Sequence, residues 1–191
     1  LSRLFWLTTT LPQKPYIPSF LAKVLDETIL GLLAVRPQHG YQLLAAFHDP
    51  DQLGEVWHLS TSQLYAVLKR LETHGLIVGR EIASPDAPVR TEYSLTEAGR
   101  SRLHLWLNAE PYASVRRVRV EFLSRLYMAR ALGLPVQPLV ERQRNVCQRL
   151  RDEIQANIEL RHEIGGLALK LFLAQIDVIL QWLDTIGDRH A

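Results

Sequence analysis

The sequence predicts a mainly α-helical chain: an N-terminal unit of short helices closed by one β-hairpin, then a C-terminal unit built on an antiparallel pair of helices. Three observations predict it. Apolar residues recur at helical spacing through most of the chain. Just two short runs, "LIVGREI" (Leu76–Ile82) and "RTEYSL" (Arg90–Leu95), read as strands. Capping residues and glycines punctuate the helices at their ends.

Composition bounds the functional class. The 191 residues are 47% hydrophobic, ample for a packed core, with a formal net charge of +2. No run approaches the length of a membrane span, and the single cysteine, Cys147, fits a reducing cytoplasm. The N-terminal "LSRLFWLTTTLPQ" lacks a small-residue cleavage pattern and reads as an arm over residues 1–23 rather than a signal peptide. The seven histidines never fall at zinc-ligand spacing with cysteines or carboxylates, and no phosphate loop or nucleophile motif is present. We therefore expect no metal, no cofactor and no catalytic residues.

The elements follow in order. Pro12, Pro15 and Pro18 keep the first segment extended. From Val24 to Val35 the pattern is helical, with Leu25, Ile29, Leu32 and Leu33 on one face. "RPQHG" breaks it, and "GYQLLAAFHD" starts a second helix with Leu43, Leu44 and Phe47 inward. A third helix spans Thr61 to His74. Ser60 and Gln63 form a capping-box pair at its start, and Gly75 suits the left-handed residue past its end. Leu64, Val67, Leu68 and Leu71 make its core stripe. Ser62, Tyr65, Ala66 and Lys69 face away, with Arg70 flanking. After the two strands, joined through "ASPDAPV", Thr96 caps a fourth helix with Leu103, Trp106 and Leu107 inward.

Three helices, a hairpin and a helix is the element order of a winged helix-turn-helix, whose third helix enters the DNA major groove. On that reading Ser60, Thr61, Ser62 and Gln63 supply polar groups at the first turn, where such helices contact bases. Tyr65 suits a phosphate or sugar and Ala66 a thymine methyl. Lys69 and Arg70 suit the backbone, and Arg80 and Arg90 lie near the two ends of the hairpin tip. The competing reading is a solvated face, since any amphipathic helix has one.

Three motifs carry a resemblance: "HGY-x-L" at His39 to Leu43, "LY-x-x-L-x-RLE-x-x-GLI" at Leu64 to Ile77, and "R-x-x-Y-x-LT-x-x-G" at Arg90 to Gly99. Together they resemble the PadR family of winged-helix transcriptional regulators, over the chain from about Val24 to the C-terminus. The resemblance implies that Tyr41, Tyr65 and the first turn of the third helix meet double-stranded DNA, with the hairpin as the wing, and His39, in the first motif, is a further candidate contact. The chain departs from the family pattern at Ser62-Gln63, where Gly-Thr is usual, and at Ala66, where proline is usual. Both changes fall on the face expected to meet the groove, so an operator sequence does not carry over from relatives.

The expected domains are 24–110, a winged helix-turn-helix, and 111–191, a helical antiparallel dimerisation domain. In the latter, one helix runs from Val118 to Leu132, a long one from Val136 to Ile164, and a last one from Leu167 to Gly187 beyond a Gly165-Gly166 break. Leu150, Ile154 and Ile158, with Leu169, Phe172, Ile176, Ile179 and Leu183 at heptad steps, form the expected dimerisation seam of a coiled-coil homodimer. Leu167, Leu171, Leu173, Val178, Leu180 and Trp182 lie off that seam and leave additional apolar surface. Trp106, Tyr127 and Trp182 are candidates to line a pocket for a small apolar or aromatic effector, against a simple core role. Two rival functions stand beside the regulator: a winged-helix protein-interaction module with a ligand-binding helical domain, and an enzyme using His39 or His74.

Overall fold

The computed structural model describes residues 19–84, 87–160 and 162–187. The helix α1 (Ser19–Val35) is followed by a two-residue strand β1 (Gln38–His39), α2 (Gly40–His48) and α3 (Thr61–Thr73). The hairpin strands β2 (Ile77–Ser84) and β3 (Ala87–Leu95) lead into α4 (Glu97–Asn108). Beyond a connecting loop come a single helical turn α5 (Val115–Arg117), a π-helical turn Val118–Phe122, α6 (Leu123–Ala131), α7 (Gln137–Asn157), a 3₁₀ turn Ile158–Leu160 and α8 (Glu163–Gly187). Among the described residues no helix is long and apolar enough to cross a membrane.

The winged helix-turn-helix expected from the element order is present. The sheet runs β1-β3-β2, antiparallel throughout, with Gln38 opposite Tyr93 and Ile77 opposite Leu95. Caps do the local work. Ser60 Oγ accepts from the Gln63 amide while Gln63 Oε1 accepts from the Ser60 amide at 2.9 Å, so each covers an otherwise orphan donor. Gly75 takes the left-handed conformation (φ 67°) that ends α3. Thr96 Oγ1 accepts from the Gly99 amide and donates to the Gly75 carbonyl, tying α4 to the end of α3. A Cβ on Gly99 would fall 2.2 Å from the Leu76 carbonyl oxygen, so the glycine of the third motif permits this close backbone approach.

The core gathers the predicted faces of all four helices: Leu25, Ile29, Leu43, Phe47, Leu64, Leu68, Leu71 and Leu103 are buried together. α1 is the central helix, and every residue from Val24 to Leu33 is buried. Its polar residues therefore need internal partners, a point taken up below.

Two expectations are corrected. Residues 19–23 belong to α1, so what was read as an arm over 1–23 is helical in that part; residues 1–18 lie outside the described residues. Gly165-Gly166 does not break the helical hairpin. The reversal comes earlier, at the 3₁₀ turn and at Glu163 (φ 49°), and the two glycines occupy the first turn of α8. There α8 packs on α7, and glycine's weak helix propensity is tolerated near a terminus. The buried residues form two clusters, one from Val24 to Trp106 and one from Val118 to Leu183, with one residue crossing between them. Met128 of α6 is fully buried in the N-terminal core, where its Sδ fills the space a Cβ on Gly31 would take.

Candidate nucleic-acid interface

The first motif starts α2, the second builds α3 and the third forms β3, and the fold brings one tyrosine or arginine from each into a single open groove. The groove, of about 670 Å³, is lined by His39, Gly40, Tyr41, Tyr65, Arg90 and Tyr93 among others. His39 is fixed by β1: its Nδ1 lies 3.0 Å from the Thr91 carbonyl oxygen of the neighbouring strand. Tyr41 stacks on the His39 ring with centroids 5.6 Å apart, and the Arg90 guanidinium lies over the Tyr41 ring at 5.4 Å. The tyrosines at 41 and 65 are both about half exposed. A cation held against an exposed ring beside a second phenol is an arrangement suited to phosphate and sugar. The Tyr93 hydroxyl at the rear is pushed above the ordinary tyrosine range by burial and by Glu72 and Tyr65, so it stays neutral and able to donate.

Beside the groove, α3 presents Thr61, Ser62, Tyr65, Ala66 and Lys69 to solvent. Ser60 and Gln63 are partly committed to the cap, which leaves the Gln63 amide nitrogen as the group free to reach outward. Two predicted contacts are not placed with the others. Arg70 turns inward and grips Asp26 of α1 through both carboxylate oxygens, so it is a brace for α3 rather than a free cation. Arg80 is exposed on β2 opposite Glu92, outside the groove. Asp26 was missed in the sequence because its partner lies 44 residues away. Part of the acidic "SPDA" wing tip falls outside the described residues.

The expected dimerisation seam is largely consumed inside the chain. Ile154, Ile158, Ile176 and Leu183 are buried, and Leu150, Leu169 and Ile179 are half-buried. The reason is that α7 and α8 pack on each other as an antiparallel hairpin, as in any two-helix unit with one apolar stripe each. What remains exposed is a second stripe, Ile164, Leu167, Leu171 and Val178, stepping by 3, 4 and 7, with Phe172 at its side. Leu167 is 62% exposed and Val178 63%. The surplus apolar surface read off the sequence is thus real, and of the six residues assigned to it Leu167, Leu171 and Val178 are exposed while Leu173, Leu180 and Trp182 are half-buried.

The three aromatics assigned to an effector pocket do not share one. Tyr127 donates to Gln52 Oε1 at 2.7 Å, and Trp182 packs edge-on against Phe122 with centroids 5.9 Å apart. Trp106 does line a cavity, of about 450 Å³, between α1, α4 and the helix that starts the C-terminal part. Glu27, Arg102, Tyr112, Glu121 and Arg125 also line it. The π-helical turn sets Glu121 so that its carboxylate meets Arg125 Nη2 at 2.6 Å, and π-turns of this kind recur at functional sites. Three buried polar atoms of these side chains have no partner: Glu27 Oε2, Trp106 Nε1 and Arg125 Nε.

Comparison with known proteins agrees with the motifs. Residues 29–105 match the model of the transcriptional regulator PadR-like family. The negative transcriptional regulator PadR of Bacillus subtilis (strain 168) is 32% identical over 112 residues, which span 58% of this chain and 59% of that protein. A crystal structure of Bacillus subtilis PadR in complex with operator DNA aligns over 87% of this chain and 98% of that one, at 26% identity and a TM-score of 0.45. A crystal structure of the same protein in complex with p-coumaric acid aligns over the same shares at 25% identity and a TM-score of 0.41. The match to the transcriptional regulator PadR-like family thus covers the winged-helix segment of this chain, residues 29–105.

Proposed function

We propose that this chain is a sequence-specific DNA-binding transcriptional regulator, acting as a repressor on a near-palindromic operator as a homodimer. The observation that carries the proposal is the groove. Three motifs, distant in sequence, deliver Tyr41, Tyr65 and Arg90 to one open concavity beside the exposed first turn of α3. That turn would read base edges in the major groove while Tyr41, Arg90 and Lys69 hold phosphates. Repression over activation is supported by the description of the curated relative as a negative regulator.

The exposed stripe Ile164–Leu167–Leu171–Val178 is where we place the homodimer contact, since two-fold sites call for two-fold proteins. The cavity beside Trp106 is where we place a small aromatic effector: its walls join the DNA-reading unit to the helices leading to the dimer face, so occupancy there would alter the spacing of the two α3 helices. The test is a mobility shift on the DNA upstream of the gene, with unrelated competitor, at two salt concentrations. A shift that resists the competitor and weakens steeply with salt is expected. No shift on that DNA or on any genomic fragment selected by the protein would overturn the reading.

A further inference from the structure

Asp26 and Glu27 are consecutive on the central helix, so they leave it about 100° apart. They serve different neighbours. Asp26 faces α3 and holds Arg70; Glu27 faces the cavity beside Trp106. Both are buried, at 7% and 1% exposure, and two carboxylates in such a place persist only with cations to match. The cations are Arg70 from α3 and Arg102 from α4.

Arg102 touches both acids. Its Nε donates to Glu27 Oε1 at 2.8 Å, and its Nη2 lies 3.6 Å from Asp26 Oδ2. Asp26 Oδ2 is the same oxygen that accepts from Arg70 Nε at 3.3 Å. One oxygen thus stands between two guanidinium groups, neither at ideal distance. A guanidinium is a rigid fork, so Arg102 cannot move toward Asp26 without changing its contact with Glu27. Glu27 in turn has a second oxygen that is buried and without a partner. Anything that weakens the hold of Glu27 on Arg102 shifts Arg102 onto Asp26 Oδ2, in competition with Arg70.

We propose that Arg102 is a positioning residue that couples the cavity between the two halves of the chain to the DNA-reading helix: through it, the charge and contacts of Glu27 set how firmly Asp26 holds Arg70, and hence how α3 is held. The coupling rests on the regulator reading above and supplies its regulatory route. A molecule in the cavity, which Glu27 and Arg102 both line, would act at the start of this chain of contacts and need not touch α3.

The test uses the full chain without any effector. Amide hydrogen exchange is followed in wild type, Glu27→Gln, Arg102→Gln and the double variant, with Asp26→Asn as a direct severing of the clamp. Exchange in the Val67–His74 segment is expected to quicken about fivefold in E27Q and in D26N, while α7 is unchanged. E27Q is expected to add nothing once Arg102 is Gln, because the route is already cut. If R102Q fails to fold, Arg102→Lys replaces it, keeping the charge and losing the fork. The coupling is overturned if E27Q leaves α3 untouched, or if its effect adds in full to that of Arg102. A merely structural role would instead quicken exchange throughout the core. Operator titrations of the same proteins separate the two readings: wild type failing to bind any DNA sinks the regulator, whereas wild type binding with unaltered α3 exchange in E27Q sinks the coupling alone.

Discussion

Gly40 makes room for the Tyr65 hydroxyl: a Cβ at position 40 would stand 2.7 Å from that oxygen and 2.9 Å from the ring carbon bearing it. The first and second motifs are therefore one structural unit, although 25 residues separate the two positions. Alanine is the better helix former by about 1 kcal/mol, so Gly40→Ala should leave thermal stability unchanged or slightly raised. The displaced phenol should nevertheless cost about tenfold in DNA affinity, or about 1.4 kcal/mol. A melting curve and a DNA titration on one preparation check both halves. Full affinity would mean that the position of Tyr65 does not matter to binding.

Lys69 and Arg70 are neighbours in sequence and opposites in role. Lys69 is exposed on α3, so Lys69→Ala should reduce the slope of log affinity against log salt by about 1, the signature of one lost phosphate contact. Arg70→Gln should lower affinity by the same factor at every salt concentration and destabilise the fold by about 2 kcal/mol, since buried Asp26 loses the nearer of its two charged partners and keeps only Arg102. Titrations at four salt concentrations separate the two.

The two apolar stripes of α8 should answer differently to substitution. Leu171→Asp, on the exposed stripe, should give a folded monomer in sedimentation whose melting no longer depends on protein concentration. Leu183→Ala, at a fully buried position against α7, should cost about 2–5 kcal/mol of stability while leaving the self-association surface in place. A dimer that survives L171D would place the contact elsewhere.

Glu27 makes stability depend on pH in a direction opposite to that of ordinary paired carboxylates. Desolvation raises its pKa above 4.5, and the hydrogen bond and charge of Arg102 offset this in part. A raised carboxyl pKa means that the folded state binds the proton more tightly than the unfolded one. Its contribution is then favourable at low pH and is lost as pH rises from 4.5 through the folded value. Comparing urea unfolding of wild type and Glu27→Gln across that range isolates the term. The stability of wild type relative to E27Q should fall as pH rises, and a difference that is flat or of opposite slope would refute the assignment.

What was legible in the sequence was what is decided locally. The ends of α3 are set by Ser60, Gln63 and Gly75 within a few residues of the bonds they make, and Thr96 sets the start of α4 in the same way. The groove was legible in part, because Tyr41, Tyr65 and Arg90 sit in motifs. Arg70 was misplaced because nothing near it in sequence announces Asp26. The α7–α8 reversal was misplaced for a related reason. Gly165-Gly166 carries a strong local signal for a break, and packing against α7 overrides it. The burial of the seam within the chain was not legible because of a symmetry of the pattern: a helix with two apolar stripes does not say which one its own neighbour takes.

The docking of α6 bears on how such a protein can be taken apart. Met128 completes the core of the winged unit against Gly31, Trp57 Nε1 donates to Ser124 Oγ at 2.9 Å, and Tyr127 reaches Gln52. A fragment cut after α4 would leave an open hole beside its central helix. The half that would read DNA is thus no transplantable cassette. Swapping it onto a foreign dimerisation tail would require carrying α6 along, and chimeras between relatives should be joined after Ala131 rather than at the loop where the chain looks easiest to cut.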